Sequence, residues 1–140
     1  MNPSVPGSYV LIADDDVDDI EMLTTALKEQ ENALDIRIAD NGKNVLEQLR
    51  QTGNGNLPCI LVMDMNMPRM DGRETVVAIK AHEHLKKIPI VLFSTSKNKT
   101  DELFAEKWAV RYLQKPDTVQ GLNEMARSIL ALCRNKTELV

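Results

Sequence analysis

The sequence predicts an α/β fold of the (βα)₅ type, in which helices cover both faces of a doubly wound, five-stranded parallel sheet. Five short apolar runs are spaced along the chain, and a segment with helical periodicity follows each of them. The runs Tyr9–Ala13, Cys59–Met63 and Ile88–Phe93 are nearly continuous in apolar residues. Continuous apolar runs of this length are typical of parallel strands that are buried on both faces.

The two remaining runs are less apolar. Ile36–Ala39 alternates between apolar and polar residues, so we place this second strand near an edge of the sheet. Tyr112–Gln114 is the fifth predicted strand.

The helices are predicted from apolar residues that recur every three to four positions. The first predicted helix carries Val17, Ile20, Leu23 and Leu27, and the last carries Val119, Leu122, Ala126, Ile129 and Cys133. Three shorter helices are predicted over Lys43–Gln51, Arg73–His84 and Lys99–Lys107. Gly42 and Gly72 stand directly before two of these segments.

Composition limits the class of protein. The 140 residues suffice for one domain, with 43% apolar and 27% charged residues. We expect a flexible lead at 1–8, the domain at 9–133, a tail at 134–140 and no output domain. A net charge of −4 argues weakly against direct nucleic-acid binding, and no apolar run reaches the roughly 20 residues of a membrane span. Cys59 and Cys133 are expected to be buried free thiols in a reducing cytoplasm.

Polar residues collect where the predicted strands end. Asp14-Asp15, Asp64, Ser94-Thr95 and Lys115 follow different strands, and ligands bind parallel sheets at this carboxyl edge. Three neighbouring carboxylates repel one another unless a hard cation lies among them, and such oxygen ligands suit Mg²⁺. A lysine facing the carboxylates would act as a point charge for a phosphoryl oxygen.

The motifs at these strand ends carry a family resemblance. They are "VLIADDD", "LVMDMNMPRMDG", "IPIVLFSTS" and "YLQKP", in this order along the chain. With them, the chain resembles the response regulator receiver domains of two-component signalling over roughly residues 9–133. The resemblance implies a flavodoxin-like, CheY-like sheet and a stand-alone regulator in the cytoplasm.

The same resemblance implies the chemistry of the site. Asp64 would be the phosphorylation site, with a histidine kinase or a phosphotransfer protein as the donor. Asp15 would bind Mg²⁺ directly and Asp14 through water, and Asn66 would add its backbone carbonyl. Lys115 would pair with the phosphoryl group.

Two switch residues are implied as well. Ser94 would hold the switch hydroxyl, although Thr95 and Ser96 follow it and the register depends on where the fourth strand ends. Tyr112 would be the aromatic switch that packs inward in the active state, but packing alone would also bury its ring. Lysine before proline is usually a cis peptide in receivers, and the sequence leaves the isomer of Lys115–Pro116 open.

The other acids of the segment "IADDDVDD" have a simpler explanation. We expect Asp16, Asp18 and Asp19, with Glu21, to lie at the cap and in the first turns of the first helix. Negative charge is favoured there by about 0.3–1 kcal/mol per residue.

Trp108 and Arg111 depart from the family pattern, which often has glycine and a small residue there. They lie on the side formed by the fourth helix, the fifth strand and the fifth helix, the family's usual output face. That side could be the interface of a homodimer or the binding surface for a downstream protein partner. Alternatively, Trp108 could pack against the fifth helix or the core.

Three other functions compete with a phosphoacceptor role. A phosphorylation-independent binding module of the same fold would not require the complete set of acids, hydroxyl and lysine. A metal-dependent phosphatase needs a second aspartate two residues after its nucleophile, where Asn66 stands. A nucleotide- or flavin-binding protein needs a glycine- or hydroxyl-rich loop after the first strand, where acids stand.

Overall fold

The computed structural model describes residues 9–51 and 56–134. Strands and helices alternate along these residues. The strands are β1 (Tyr9–Ala13), β2 (Asp35–Ala39), β3 (Ile60–Asp64), β4 (Ile90–Ser94) and β5 (Arg111–Gln114). The helices are α1 (Val17–Gln30), α2 (Gly42–Gln51), α3 (Gly72–Lys80), α4 (Lys99–Lys107) and α5 (Val119–Arg134).

The strands form one parallel sheet in the order β2-β1-β3-β4-β5. This arrangement confirms the predicted doubly wound (βα)₅ fold. The alternating strand β2 lies at an edge, as its pattern indicated. β1 and β3 are interior strands, and β1 pairs with both β2 and β3, so that Ile12 lies between Ile38 and Val62.

Each face of the sheet carries its own hydrophobic core. Leu11 packs with α2 and α3, whereas Val10 and Ile12 on the same strand pack with α1 and α5. Successive side chains of a strand point to opposite faces, and both faces are covered, which is why β1 needs an unbroken apolar run. Within the described residues, no helix combines the length and apolar character that a membrane crossing requires.

The predicted extent of α3 was wrong at its carboxyl end. The helix ends at Lys80, not at His84. Beyond Ala81 the backbone N–H groups of His82 and Leu85 donate to carbonyls three residues back, those of Ile79 and His82. The chain therefore continues in tighter turns. Apolar residues recur in these turns at nearly the spacing of a helix, which is why the pattern predicted a longer α3. Gly42 and Gly72 are the first residues of α2 and α3 and do not precede them.

The end of α4 explains how the chain manages without a glycine at position 108. Trp108 is the C-cap with an ordinary φ of −95°, and the next residue, Ala109, takes the left-handed conformation with φ 56°. The N–H of Val110 donates to Ala105 at 2.9 Å and that of Ala109 to Glu106 at 3.2 Å. This is the hydrogen-bond pattern of a Schellman motif, and its left-handed residue lies one position after Trp108.

We predict that Ala109→Gly raises the free energy of unfolding by about 1 kcal/mol, because glycine adopts a left-handed φ without the steric cost that alanine bears. Urea unfolding of the wild type and the variant measures the difference. Ala105→Gly, inside the same helix, is the control and should destabilise the protein. An Ala109→Gly variant less stable than the wild type would contradict the prediction.

Cys59 and Cys133 form a disulfide, so the expectation of free thiols was wrong. The Cα atoms are 4.9 Å apart, within the usual range for this bond. Cys59 precedes β3 and is fully buried, while Cys133 lies in the last turn of α5. The parallel order of the sheet brings these distant positions together, and spacing along the sequence could not reveal that.

The disulfide closes a sequence separation of 74 residues. We predict that reduction lowers the free energy of unfolding by roughly 2–4 kcal/mol, because the oxidised unfolded chain is restricted by this long loop. Urea unfolding with and without dithiothreitol measures the change. Cys133→Ala is the control, since a reductant should not alter its unfolding curve. An unchanged wild-type curve in reductant would refute the prediction.

Candidate functional site

Three carboxylates meet at the carboxyl edge of the sheet. Asp14 and Asp15 directly follow β1, and Asp64 is the last residue of β3. Within the described residues, these three form the only group of potential metal ligands, with one oxygen of each within 4.8 Å of the others. Asp14 and Asp64 are buried, whereas Asp15 is exposed. The sequence correctly predicted that these acids lie close together. They do so because β1 and β3 are parallel neighbours that end at the same edge of the sheet.

Backbone hydrogen bonds orient the two buried carboxylates. Asp14 Oδ1 accepts from the N–H of Asp16 at 3.0 Å, and Asp64 Oδ1 accepts from the N–H of Asn66 at 3.1 Å. The other oxygen of each carboxylate, Oδ2, lies 3.2 Å from Lys115 Nζ. Each acid thus has one oxygen fixed by the main chain and one that faces the lysine.

Burial disfavours the negative charge of Asp14. Burial raises the pKa of Asp14 from 3.8 to about 6, and repulsion from Asp64 adds to the rise. The N–H of Asp16 and the charge of Lys115 act in the opposite direction. A partly buried set of hard oxygen ligands with excess negative charge fits a divalent cation, so the residues present suit the metal that the motifs implied.

Lys115 lies among the acids, as predicted, and it has one partner that the sequence did not reveal. Its Nζ donates to Asp19 Oδ2 at 2.7 Å and to Asp64 Oδ2 at 3.2 Å. Burial alone would lower the pKa of Lys115, but the hydrogen bond to Asp19 and the charges of Asp64 and Asp14 raise it above its ordinary value. The ammonium therefore stays charged at physiological pH.

The acids at the start of α1 divide into two groups. Asp16 is the N-cap, and its side chain accepts from the N–H groups of Asp18 and Asp19 at 3.0 and 3.2 Å. Asp18 is exposed in the first turn, as predicted for a residue that only complements the helix dipole. Asp19 lies in the same turn and also pairs with Lys115, so its assignment to the helix start alone was incomplete. No signal along the sequence distinguishes Asp19 from Asp18.

The hydroxyl residues lie at the end of β4. Ser94 is the last residue of that strand and is buried, with its Oγ donating to the carbonyl of Ser96 at 2.5 Å. The Tyr112 hydroxyl lies 3.0 Å from Ser94 Oγ and donates to the same carbonyl at 3.0 Å. The two predicted switch residues are therefore in direct contact. Thr95, rather than Ser94, lines the open pocket above Asp64.

The segment after Asp64 is held close to the sheet. The N–H of Met65 donates to Phe93 at 2.8 Å, and the N–H of Gly72 donates to the carbonyl of Met65 at 2.9 Å. A side chain at Gly72 would meet the carbonyl oxygen of Asp64 at 2.8 Å, so this close approach requires glycine. Asp71 caps α3 in a capping box with Glu74. The "MDG" part of the motif thus holds the end of the loop that contains Asn66 close to the sheet.

Trp108 lies half-buried against the core beneath α2 and α3, with its ring 6.2 Å from that of Phe104. This contact matches the packing alternative that the sequence left open. Arg111 is exposed at the start of β5. The Lys115–Pro116 peptide bond is trans.

Comparison with known proteins identifies the family. The sequence profile described as "Response regulator receiver domain" matches residues 10–127. The chain belongs to this family. The receiver domain is 30% identical over 130 residues to the response regulator Rcp1 of Synechocystis, an alignment that covers 90% of this chain and 88% of Rcp1. It is 30% identical over 118 residues to the chemotaxis protein CheY1 of Helicobacter pylori, covering 81% of this chain and 93% of CheY1.

Solved structures agree with this assignment. The phosphorylated cyanobacterial phytochrome response regulator RcpA superposes with a TM-score of 0.79 at 28% identity, covering 87% of this chain and 90% of RcpA. The Mn²⁺-bound form of Rcp1 superposes with a TM-score of 0.78 at 29% identity, covering 89% of this chain and 92% of Rcp1. The receiver family and its CheY-like fold, both predicted from the motifs, are confirmed. As a receiver domain, the protein interacts with a histidine kinase or a phosphotransfer protein.

We predict that Asp14→Asn stabilises the metal-free receiver domain at neutral pH by roughly 1–3 kcal/mol, because it removes a charge that burial and Asp64 disfavour. Folding raises the pKa of Asp14 from 3.8 to about 6, so the ionised group costs stability above that pH. The cost begins to fall as the pH drops through the folded pKa of about 6 and is lost only below the unfolded value of 3.8. The stability difference between variant and wild type should therefore shrink at about pH 5.

Urea unfolding in a chelating buffer at both pH values measures this difference. Asp18→Asn removes a carboxylate from an exposed position and serves as the control. A gap between wild type and Asp14→Asn that does not change with pH, or a destabilised variant, would contradict the interpretation.

Proposed function

We propose that the receiver domain is a phosphoacceptor switch whose Asp64 takes a phosphoryl group from a histidine kinase or a phosphotransfer protein. The observation that carries the proposal is the convergence of three carboxylates and one ammonium at Asp64. Asp64 lies in one cluster of carboxylates with Asp14 and Asp15, and its Oδ2 is 3.2 Å from Lys115 Nζ. An acceptor needs this combination, since phosphoryl transfer is catalysed by positioning and by neutralising charge on the phosphoryl oxygens.

The proposed cofactor is Mg²⁺. Asp14, Asp15, Asp64 and the backbone carbonyl of Asn66 would hold it, and these hard oxygen ligands fit that ion. The bound ion would supply positive charge to the phosphoryl oxygens. The relative Rcp1 has a Mn²⁺-bound form, which supports the proposal that this receiver domain also binds a divalent cation.

The proposed transfer exchanges one bond to phosphorus for another. A carboxylate oxygen of Asp64 forms a bond to phosphorus while the P–N bond of phosphohistidine breaks, and the electron pair of that bond remains on the imidazole nitrogen. Lys115 donates a hydrogen bond to a phosphoryl oxygen. The proposed activity of the chain is limited to its own phosphorylation and dephosphorylation.

The signal would then pass through Ser94 and Tyr112. Their hydroxyls are 3.0 Å apart and both donate to the carbonyl of Ser96. If Ser94 turns toward the phosphoryl group, the hydroxyl of Tyr112 loses one neighbour, and its ring repacks inward. A local charge change would in this way move the surface that surrounds β5.

The proposed output surface is formed by α4, β5 and α5. Leu103 on α4 is 53% exposed there, and Arg111 is exposed on β5. We propose that this surface binds a downstream protein or a second copy of the chain, without direct contact to nucleic acid or a membrane. The proposed setting is the cytoplasm.

We predict that the protein gains one phosphoryl group when it is incubated with Mg²⁺ and acetyl phosphate, because the Asp64 carboxylate can attack this small donor directly. Intact mass spectrometry measures the gain. Asp64→Asn is the control, since an amide oxygen is a poor nucleophile and the gain should vanish.

The metal requirement is tested with a chelator in the same reaction. No gain with any metal or donor would rule out the phosphoacceptor mechanism and favour a binding module that keeps only the fold. A gain that persists in Asp64→Asn would place the acceptor elsewhere.

A further inference from the structure

Asp19 is the nearest acidic partner of the active-site lysine. Lys115 Nζ lies 2.7 Å from Asp19 Oδ2, compared with 3.2 Å from Asp14 and 3.2 Å from Asp64. The side chain of Lys115 is only 13% exposed and that of Asp19 is 29% exposed, so water screens the pair only partly. This contact joins the first turn of α1 to the residue that follows β5.

Asp19 differs from the other two partners because it stands outside the group that could hold a metal. That group consists of Asp14, Asp15 and Asp64. A cation held by these carboxylates would compete with Lys115 for Asp14 and Asp64. The contact with Asp19 requires neither of them, so it can persist while the metal and the phosphoryl group enter.

The lysine side chain needs such an anchor. An ammonium group has three donors on a flexible stem of four carbons, and fixing it costs side-chain entropy. The main chain of Lys115 is already held, since its N–H donates to the carbonyl of Ser94 at 2.7 Å. Asp19 fixes the other end of the side chain and leaves donors free for Asp64.

We propose that Asp19 is a positioning residue that holds the Lys115 ammonium beside Asp64, so that one donor stays with Asp19 while another faces the incoming phosphoryl oxygen. The inference rests on the proposed phosphoacceptor function and adds a residue to it. Asp19 lies outside the metal-ligand group, and in this role it acts through Lys115.

The first turn of α1 offers a matched control. Asp18 and Asp19 are adjacent, both donate their N–H to the N-cap Asp16, and both complement the helix dipole. Only Asp19 reaches Lys115, whereas Asp18 is exposed. A comparison of Asp19→Ala with Asp18→Ala therefore removes the contribution of helix charge and isolates the contact with the lysine.

We expect Asp19→Ala to slow phosphorylation by acetyl phosphate at saturating Mg²⁺ by about tenfold, because an unanchored ammonium is misplaced relative to the phosphoryl oxygen. Asp18→Ala should react at the wild-type rate. In a Lys115→Met background, Asp19→Ala should cause no further loss, since its partner is already gone. If Asp19 had a purely structural role in α1, its substitution would slow Lys115→Met as strongly as it slows the wild type.

A second measurement needs no phosphodonor. Urea unfolding of the metal-free wild type, both single variants and the double variant should show coupling between positions 19 and 115, and none between 18 and 115. It also shows whether each variant is folded in the phosphorylation assay.

The outcomes separate this inference from the function on which it rests. A wild type that is never phosphorylated on Asp64 overturns the proposed function. A wild type that is phosphorylated, with Asp19→Ala as fast as or faster than Asp18→Ala, overturns the positioning role alone. Equal losses from Asp19→Ala in the wild-type and Lys115→Met backgrounds would also overturn it.

Discussion

The arrangement of one ammonium group among three carboxylates is the interaction on which the rest of the site depends. Lys115 pairs with Asp14, Asp19 and Asp64, which come from the end of β1, the start of α1 and the end of β3. The parallel sheet brings these acids together, and without a cation their repulsion would favour separation. Lys115 therefore links the acids that follow β1 and β3 to the end of β5, the strand farthest from β2 in the sheet.

The sequence predicted what depends on strand ends and periodicity. Continuous apolar runs identified the buried strands, and the alternation of Ile36–Ala39 placed β2 at an edge, as the sheet has it. Because parallel strands end at a common edge, the sequence alone groups Asp14, Asp64 and Lys115. The four motifs then identified the receiver family, which the comparisons confirm.

The sequence did not predict features that depend on the orientation of side chains on a helix, or on contacts between residues far apart in the sequence. Asp18 and Asp19 look alike in the chain, and only the orientation of the first turn of α1 makes one of them a lysine partner. The apolar spacing of α3 continued to His84, while the hydrogen bonds had already tightened into turns. The Cys59–Cys133 bond joins two core positions that carry no redox signature along the sequence.

That disulfide also determines how α5 can move. Cys59 precedes β3, at the edge of the sheet opposite Asp64, and Cys133 lies in the last turn of the helix. The other end of α5, at Val119, follows Lys115 by a short loop at the carboxyl edge of the sheet. The helix is thus held by a covalent bond at its carboxyl end, whereas noncovalent contacts such as the Gln30–Asn123 hydrogen bond hold its other end. A displacement that begins at Lys115 would rotate α5 about its disulfide-bonded end at Cys133. The amino-terminal end of the helix, which lies nearest to Lys115, would then move farthest.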